Sequence, residues 1–410
     1  MLQSYGLLIE TLGFDTFLLD QCFLFCKNYL CYLMRIAVNA IFLQKNKLEG
    51  YGYFVQEIFS RLAMKYPQHE FLFLFDRPYD EEFLFSKNVK PIVITPKARQ
   101  PISFKYWYDI KLPLALRGLQ PDVLVQPYGF CSLTIKVPQL LVVHDLAFQH
   151  YPHFIAKQHL FYYQFFTKRF LNKAKHIATV SEFSKGDIIA HYNIEAHKID
   201  VIYSAAKEIF KPMASFIQEQ TKNLFAEGKE YFLFVGGVHP RKNLMNLLKA
   251  FSIFKRRQRS SMKLLVVGRL AWKYDDVVER LKTYKYRNDV VLLHYLNEAD
   301  LAAVMASAYA LIFPSFFEGF GVPIIEAMQS NVPVITSNTS SLLEIGTDAV
   351  LYANPNDPEG IASQMMQLYK DESMRNRLIA TGNQQAARFS WDRTAELMWQ
   401  SILTTVASPK

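Results

Sequence analysis

The chain has 410 residues, half of them hydrophobic and a fifth charged; at roughly 150 residues per domain, that is room for two domains or at most three. Such a balance excludes a disordered chain, a collagen-like polymer and a small disulfide scaffold. Lys and Arg number 46 against 37 Asp and Glu, a net charge of +9, which favours an anionic partner (nucleic acid, anionic lipid or a phosphorylated substrate) without choosing among them.

The first 33 residues are rich in Leu and Phe, but Glu10, Asp15, Asp20 and Lys27 break every apolar run before the roughly 18 residues a spanning helix requires. The early basic region and small-residue cleavage site of a secretory leader are missing as well. The folded part is expected to begin at Met34, with residues 1–33 either a misassigned start or an appended segment lying on a surface. Cys22, Cys26 and Cys31 fall in this stretch, Cys131 stands elsewhere, and no Cys-x-x-Cys pair exists. Neither a zinc site nor a disulfide framework is indicated, and the expected location is the reducing cytoplasm.

From Met34 onward, short apolar runs alternate with amphipathic stretches. Residues 35–40, 70–75, 91–94, 122–126, 139–143, 176–180 and 199–203 read as strands. Residues 51–66, 104–117, 156–174 and 182–192 read as helices, the last with Ser181 as N-cap. A polar stretch, 218–230, shows no strong apolar period. The alternation then restarts, with strands at 231–235, 263–267, 289–293, 309–313 and 332–336 and helices at 243–257, 275–285, 298–307 and 322–329. Continuous apolar strands separated by helices mean parallel sheets covered on both faces. The expected fold is therefore α/β, with two doubly wound domains at 34–210 and 228–388 and an amphipathic segment, 389–407, following the second. A ligand cleft belongs between such domains, at the carboxyl ends of their strands.

Three strand ends carry candidate chemistry. In Pro314-Ser-Phe-Phe-Glu318-Gly319-Phe320-Gly321-Val-Pro-Ile-Ile-Glu326, a strand runs into a glycine turn and then a helix whose first turn holds a proline. Free N–H groups at a helix start suit an oxygen-rich anion, and the two carboxylates flanking the turn suit sugar and ribose hydroxyls. In Phe234-Val-Gly236-Gly237-Val-His-Pro-Arg241-Lys242-Asn243, two cations stand where a helix dipole disfavours them, so an anion held jointly by both is expected. His144-Asp145 follows directly after the strand at 139–143. Gly50-Tyr-Gly52, read as a loop before the first helix, is an incomplete dinucleotide fingerprint. By spacing alone, Glu318 and Glu326 also fit a solvated loop and a helix surface, Arg241 and Lys242 a solvated basic turn, and His144 a structural histidine. No P-loop, H-E-x-x-H, G-x-S-x-G or Asp-x-Asp occurs, so no metal cofactor is indicated and Arg241 and Lys242 stand in for a metal's charge.

Together and in this order, these motifs, with Thr179-Val-Ser181-Glu-Phe-Ser184, resemble the retaining glycosyltransferases of family 4, the group 1 type, from about Met34 to Trp399. The resemblance implies the GT-B fold, two Rossmann-like domains facing across a cleft, with the 389–407 helix returning to the first domain. It implies transfer of a sugar from a nucleotide-diphosphate donor such as GDP-mannose or a UDP-sugar to an acceptor hydroxyl, with retention at the anomeric carbon. Surface polysaccharide or lipid-linked glycan synthesis is the expected setting, and a glycan or lipid-linked molecule the expected acceptor. Catalytic roles fall on His144, Glu318, Arg241 and Lys242, with the two cations on the diphosphate. Glu326 would hold the ribose, and Gly319, Phe320, Gly321, Gly237, Gly50 and Gly52 would approach the donor. Where many relatives have Asn-Gly-Val, this chain has Ser204-Ala205-Ala206, so no binding role carries over there.

Two alternatives differ in class. A nucleic-acid-binding protein would use the charge, but no recognisable binding signature is present and the Glu318/Glu326 pair would go unexplained; no nucleic-acid partner is expected. An inactive GT-B protein that only binds nucleotide sugar is the nearer rival. The basic, aromatic stretches 104–108 and 159–169 are either ordinary core-facing helix or a face for peripheral contact with an anionic membrane.

Overall fold

The computed structural model describes residues 33–45, 48, 50–98, 101–269 and 275–407; the calls on the amino-terminal prefix and its three cysteines lie outside the described residues. The first sheet is parallel and seven-stranded: β1 (Arg35–Asn39), β2 (Glu70–Phe75), β3 (Val89–Val93), β4 (Val123–Gln126), β5 (Gln139–Val143), β6 (His176–Thr179) and β7 (Ile199–Val201), in the order 3-2-1-4-5-6-7. Its helices are α1 (Gly50–Lys65), α2 (Pro101–Tyr106), α3 (Leu112–Leu119), α4 (Ala147–His150), α5 (Lys157–Lys173) and α6 (Glu182–Tyr192). The second sheet, also parallel, has six strands: β8 (Tyr231–Val235), β9 (Lys263–Val267), β10 (Val290–Leu292), β11 (Ala310–Phe313), β12 (Val334–Ser337) and β13 (Leu351–Ala353), in the order 10-9-8-11-12-13. Between the sheets runs α7 (Ser215–Ala226), and the second is covered by α8 (Leu244–Gln258), α9 (Asp275–Lys282), α10 (Glu298–Ala306), α11 (Val322–Gln329), α12 (Leu342–Gly346), α13 (Pro358–Lys370) and α14 (Glu372–Ala386).

The continuous apolar strands are explained by burial on both sides. In β5, Leu140 and Val142 join one core while Leu141 and Val143 join another; in β8, Tyr231 and Leu233 face one side and Phe232 and Phe234 the other. Period-two alternation is therefore present but invisible as polarity, because neither face meets water. In both sheets the strand order reverses beside the central strand, at β1/β4 and β8/β11, and this places two crevices opposite one another.

Three readings need correction. The polar stretch at 218–230 is largely helical: α7 buries only Thr221 and Ala226, too narrow a contact to leave an apolar period. The helix expected at 104–117 extends over 101–119 and contains a π-turn at Trp107–Lys111. Gly50 and Gly52 are not in a loop but in the first turn of α1.

The last helix, α15 (Trp391–Ala407), lies along α1 of the first half. Arg61 donates to Asp392 at 2.7 Å, Lys65 pairs with Glu396, and Tyr66 stacks on Trp399 with ring centroids 4.0 Å apart.

Candidate active site

Glu318 follows β11 and is 7% exposed. Its Oε1 accepts from Lys242 Nζ at 2.7 Å and its Oε2 from Arg241 Nη1 at 3.0 Å. Burial alone would raise its pKa, but Arg241 and Lys242 outweigh that and hold it at about 2. Arg241 also donates to the Phe317 carbonyl at 2.6 Å. The cations sit on a single 3-10 turn, Pro240–Lys242, ahead of α8. Asn243, at φ 63°, closes that turn and ties it down by donating to the carbonyls of Pro314 (2.9 Å) and Pro355 (2.7 Å). The anion required by two cations at a helix start is thus supplied, in this state, by Glu318 itself.

Gly321, at φ +109°, adopts the left-handed backbone that lets the chain turn into α11. Gly319 lines the cleft and also serves the seam between the domains. A Cβ there would lie 2.0 Å from the His144 carbonyl oxygen, so its bare Cα admits the facing domain at the edge of the cleft cavity. Ser181 Oγ donates to the Gly319 carbonyl at 2.7 Å across the same seam. Phe320 is buried against Tyr203 and Phe389. Two other glycines are packing positions: a Cβ on Gly52 would meet the Phe42 carbonyl oxygen at 2.8 Å, and the Gly236–Gly237 backbone lies against Gly268. Neither Gly52 nor Gly237 lines the cleft cavity, whereas Gly50 does.

His144 projects from the end of β5. Its Nε2 lies 2.9 Å from the Pro127 carbonyl, and its ring is held between Tyr51 and Phe54 with centroids 4.7 and 4.9 Å away. Burial lowers its pKa, so the ring is neutral, with Nε2–H donating to Pro127. Glu326, one turn into α11, is half-buried, and burial beside Glu298 raises its pKa to about 7 against a smaller opposing pull from Lys207.

These groups line a cavity of about 560 Å³ that draws His144 and Gly50 from the first domain and Arg241, Lys242, Glu318 and Glu326 from the second. Among the members the sequence reading missed are Lys207, Glu298, Tyr53 and Trp391. Lys207 donates to Glu298 at 2.6 Å and sits 3.4 Å from the Tyr53 ring centroid. Trp391 lends its indole, whose buried N–H has no hydrogen-bond partner. Lys207 lies in an irregular segment with no periodic signal; Glu298 and Trp391 open helices that read as ordinary starts. A second cavity, about 260 Å³, continues from Tyr51, His144, Asp145 and Arg241 into the first domain, between β5 and α5. As to metal, His150, Asp187 and His191 come within 4.8 Å of one another. They lie outside both cavities and are hydrogen-bonded together, with His150 stacked on Phe317.

A profile described as "Glycosyltransferase Family 4" matches residues 50–206, and one described as "Glycosyl transferases group 1" matches residues 215–385. The chain is 35% identical to O-antigen chain mannosyltransferase B of Escherichia coli over 61% of this chain and 66% of that protein. It is 31% identical to O-antigen chain mannosyltransferase RfbU of Salmonella typhimurium over 71% of this chain and 77% of that protein. The solved structure of Anabaena HepE in complex with UDP-glucose aligns over 90% of this chain and 98% of that one, with a TM-score of 0.69 at 16% identity, a likeness of fold. Each half thus matches its own profile and the candidate residues meet where the two sheets face, so the chain belongs to the group 1 glycosyltransferases of family 4 and has the GT-B fold.

Proposed function

We propose that this enzyme transfers mannose from a nucleotide-diphosphate donor to a lipid-linked polysaccharide acceptor, with retention of configuration. The carrying observation is the Arg241–Glu318–Lys242 cluster at the facing strand ends. Two half-buried cations sharing one carboxylate leave charge for a diphosphate, which would take both over with charge-assisted bonds and release Glu318 toward the sugar hydroxyls. Arg241 and Lys242 then stabilise the departing nucleoside diphosphate, and the charge they supply lets the reading dispense with a metal. Glu326 accepts from the ribose hydroxyls. The C1–oxygen bond breaks and the acceptor oxygen attacks on the same face, its proton passing to a phosphate oxygen, with His144 beside the reacting sugar. The similarity to two O-antigen mannosyltransferases supports the sugar and the setting, and the UDP-glucose complex of a protein of like fold supports the donor class.

The acceptor side is read as the second cavity, where Tyr51, Phe148 and Tyr163 offer ring faces. We read the location as cytoplasmic, with peripheral membrane contact; no helix among the described residues is long and apolar enough to cross a membrane.

A thermal-shift screen of GDP-, UDP- and ADP-sugars tests the donor site. One nucleotide class should raise the melting temperature by mass action. Arg241→Ala should weaken its binding by about 30-fold, the worth of a charged hydrogen bond at about 2 kcal/mol. The donor-site reading fails if no nucleotide sugar shifts the melt at millimolar levels. Turnover with the same donor separates an enzyme from a binding protein.

A further inference from the structure

We infer that the outer face of α2, its π-turn, α3 and α5 is a docking surface for an anionic lipid bilayer. Segments 101–119 and 157–175 together carry eight cations against one carboxylate, Asp109, a net +7 of the chain's +9. Asp109 is turned inward and paired with Lys105, so neither segment presents an exposed acid.

The same segments expose large apolar side chains: Ile102 (86%), Tyr106, Ile110, Leu114, Phe161 (69%) and Phe165. In the first segment they recur every four residues. On a regular helix that spacing drifts off one face, and the wider π-turn at Trp107–Lys111 takes up part of the drift. In the second segment, Phe161 and Phe165 stack with centroids 5.9 Å apart, and the Arg169 guanidinium lies 3.8 Å from the Phe165 ring centre. The two segments are neighbours, since Phe104 meets Tyr162 at 6.4 Å and Lys105 sits 4.9 Å from the Phe166 ring centre.

The inner face is ordinary core: Trp107, Tyr108, Leu112, Phe170 and Leu171 are buried. An exposed apolar stripe ringed by cations is the pattern of an interfacial helix. A second copy of the chain fits poorly, because a twofold contact would set like charges against each other. The inner side of α5 also contributes Tyr163, Thr167 and Leu171 to the second cavity. One helix therefore separates the lipid-facing surface from the acceptor pocket. Delivery of a lipid-linked acceptor along it rests on the function proposed above; the docking itself does not.

The test is cosedimentation of the full chain with vesicles of phosphatidylcholine alone and with about 30% phosphatidylglycerol, at about 0.1 M salt. The chain should bind the anionic vesicles, not the neutral ones, and release them as salt rises. Lys168→Gln with Arg169→Gln should weaken binding about 30-fold, at roughly fivefold per cation, and Phe161→Ser with Phe165→Ser should weaken it independently. All four positions are exposed, so unchanged melting temperatures should accompany both variants. Docking is overturned by equal binding to both vesicle types, by no binding to either, or by variants that bind like wild type; capture of DNA or a second copy in place of vesicles counts the same way. A persisting nucleotide-sugar shift alongside failed docking leaves the transferase reading standing, and the reverse result removes only that reading.

Discussion

Glu318 and Glu326 stand eight residues apart and sit at opposite ends of the carboxylate range, about 2 and about 7. The difference is one of neighbours: burial raises both, but only Glu318 has two cations in contact. Glu326 therefore keeps its proton up to near neutrality while the cleft is empty. Ribose hydroxyls donate better to a carboxylate, so a bound donor lowers this pKa and binding expels a proton between about pH 5 and pH 7. Affinity for a nucleotide sugar should rise with pH across that window and level off above it; the donor's diphosphate diester does not titrate there. Calorimetry in buffers of different ionisation enthalpy reads the proton directly. Glu326→Gln should flatten the profile, and a flat profile in the unaltered protein would defeat the argument. Arg241, Lys242, Glu318 and Glu326 were legible in the sequence because they cluster at strand ends beside turn residues, whereas Lys207 and Glu298 were not. The glycines misled in part: Gly52 makes room for the Phe42 backbone and lies outside the cleft cavity, and Gly319, which lines it, also makes room for a facing domain; a sequence does not say what approaches a missing Cβ.

At the level of elements, α6 shows how a helix start can bind two domains. Ser181 caps it locally by accepting from Ser184 N at 3.1 Å, which the sequence foretold. The next two donors, Glu182 N and Phe183 N, reach Glu344 of the second domain at 2.9 and 3.0 Å. A carboxylate there satisfies two orphan amides and the positive end of the helix at once. Glu344→Ala should destabilise by about 1–2 kcal/mol, as losing a cap does, and should speed amide exchange at Phe183 while leaving the far end of α6 unchanged. Unaltered exchange would mean the contact contributes nothing in solution. Nothing in the sequence pairs residues 182 and 344, which lie 162 positions apart. Long, periodic helices such as α1 and α8 were legible; α7, with two buried residues, gave no period to read.

For the whole molecule, the seam at Gly319 and His144 sets how near the two halves of the site come. The candidate donor-binding groups Arg241, Lys242 and Glu326 all belong to the second domain, and His144 to the first. In Gly319→Ala, the new methyl would overlap the His144 carbonyl, which is backbone and has no rotamer to yield. The domains should part slightly, visible as a larger radius of gyration in solution scattering. Turnover should fall by about 10²-fold for a displacement near 1 Å, while donor affinity holds within a few-fold. Equal losses in both would show that Gly319 serves the donor after all.

The chain passes between the halves twice, once near Tyr203 and again near Phe389, and the two passages touch: the rings lie 5.6 Å apart, and Thr394 Oγ1 donates to the Tyr203 carbonyl at 2.5 Å. A single thread would act as a ball joint, free to swivel in any direction. Two threads pinned side by side would act as a pivot with one easy sense of rotation, so any opening of the cleft would retrace the path of its closing and return His144 to the same place opposite the donor groups.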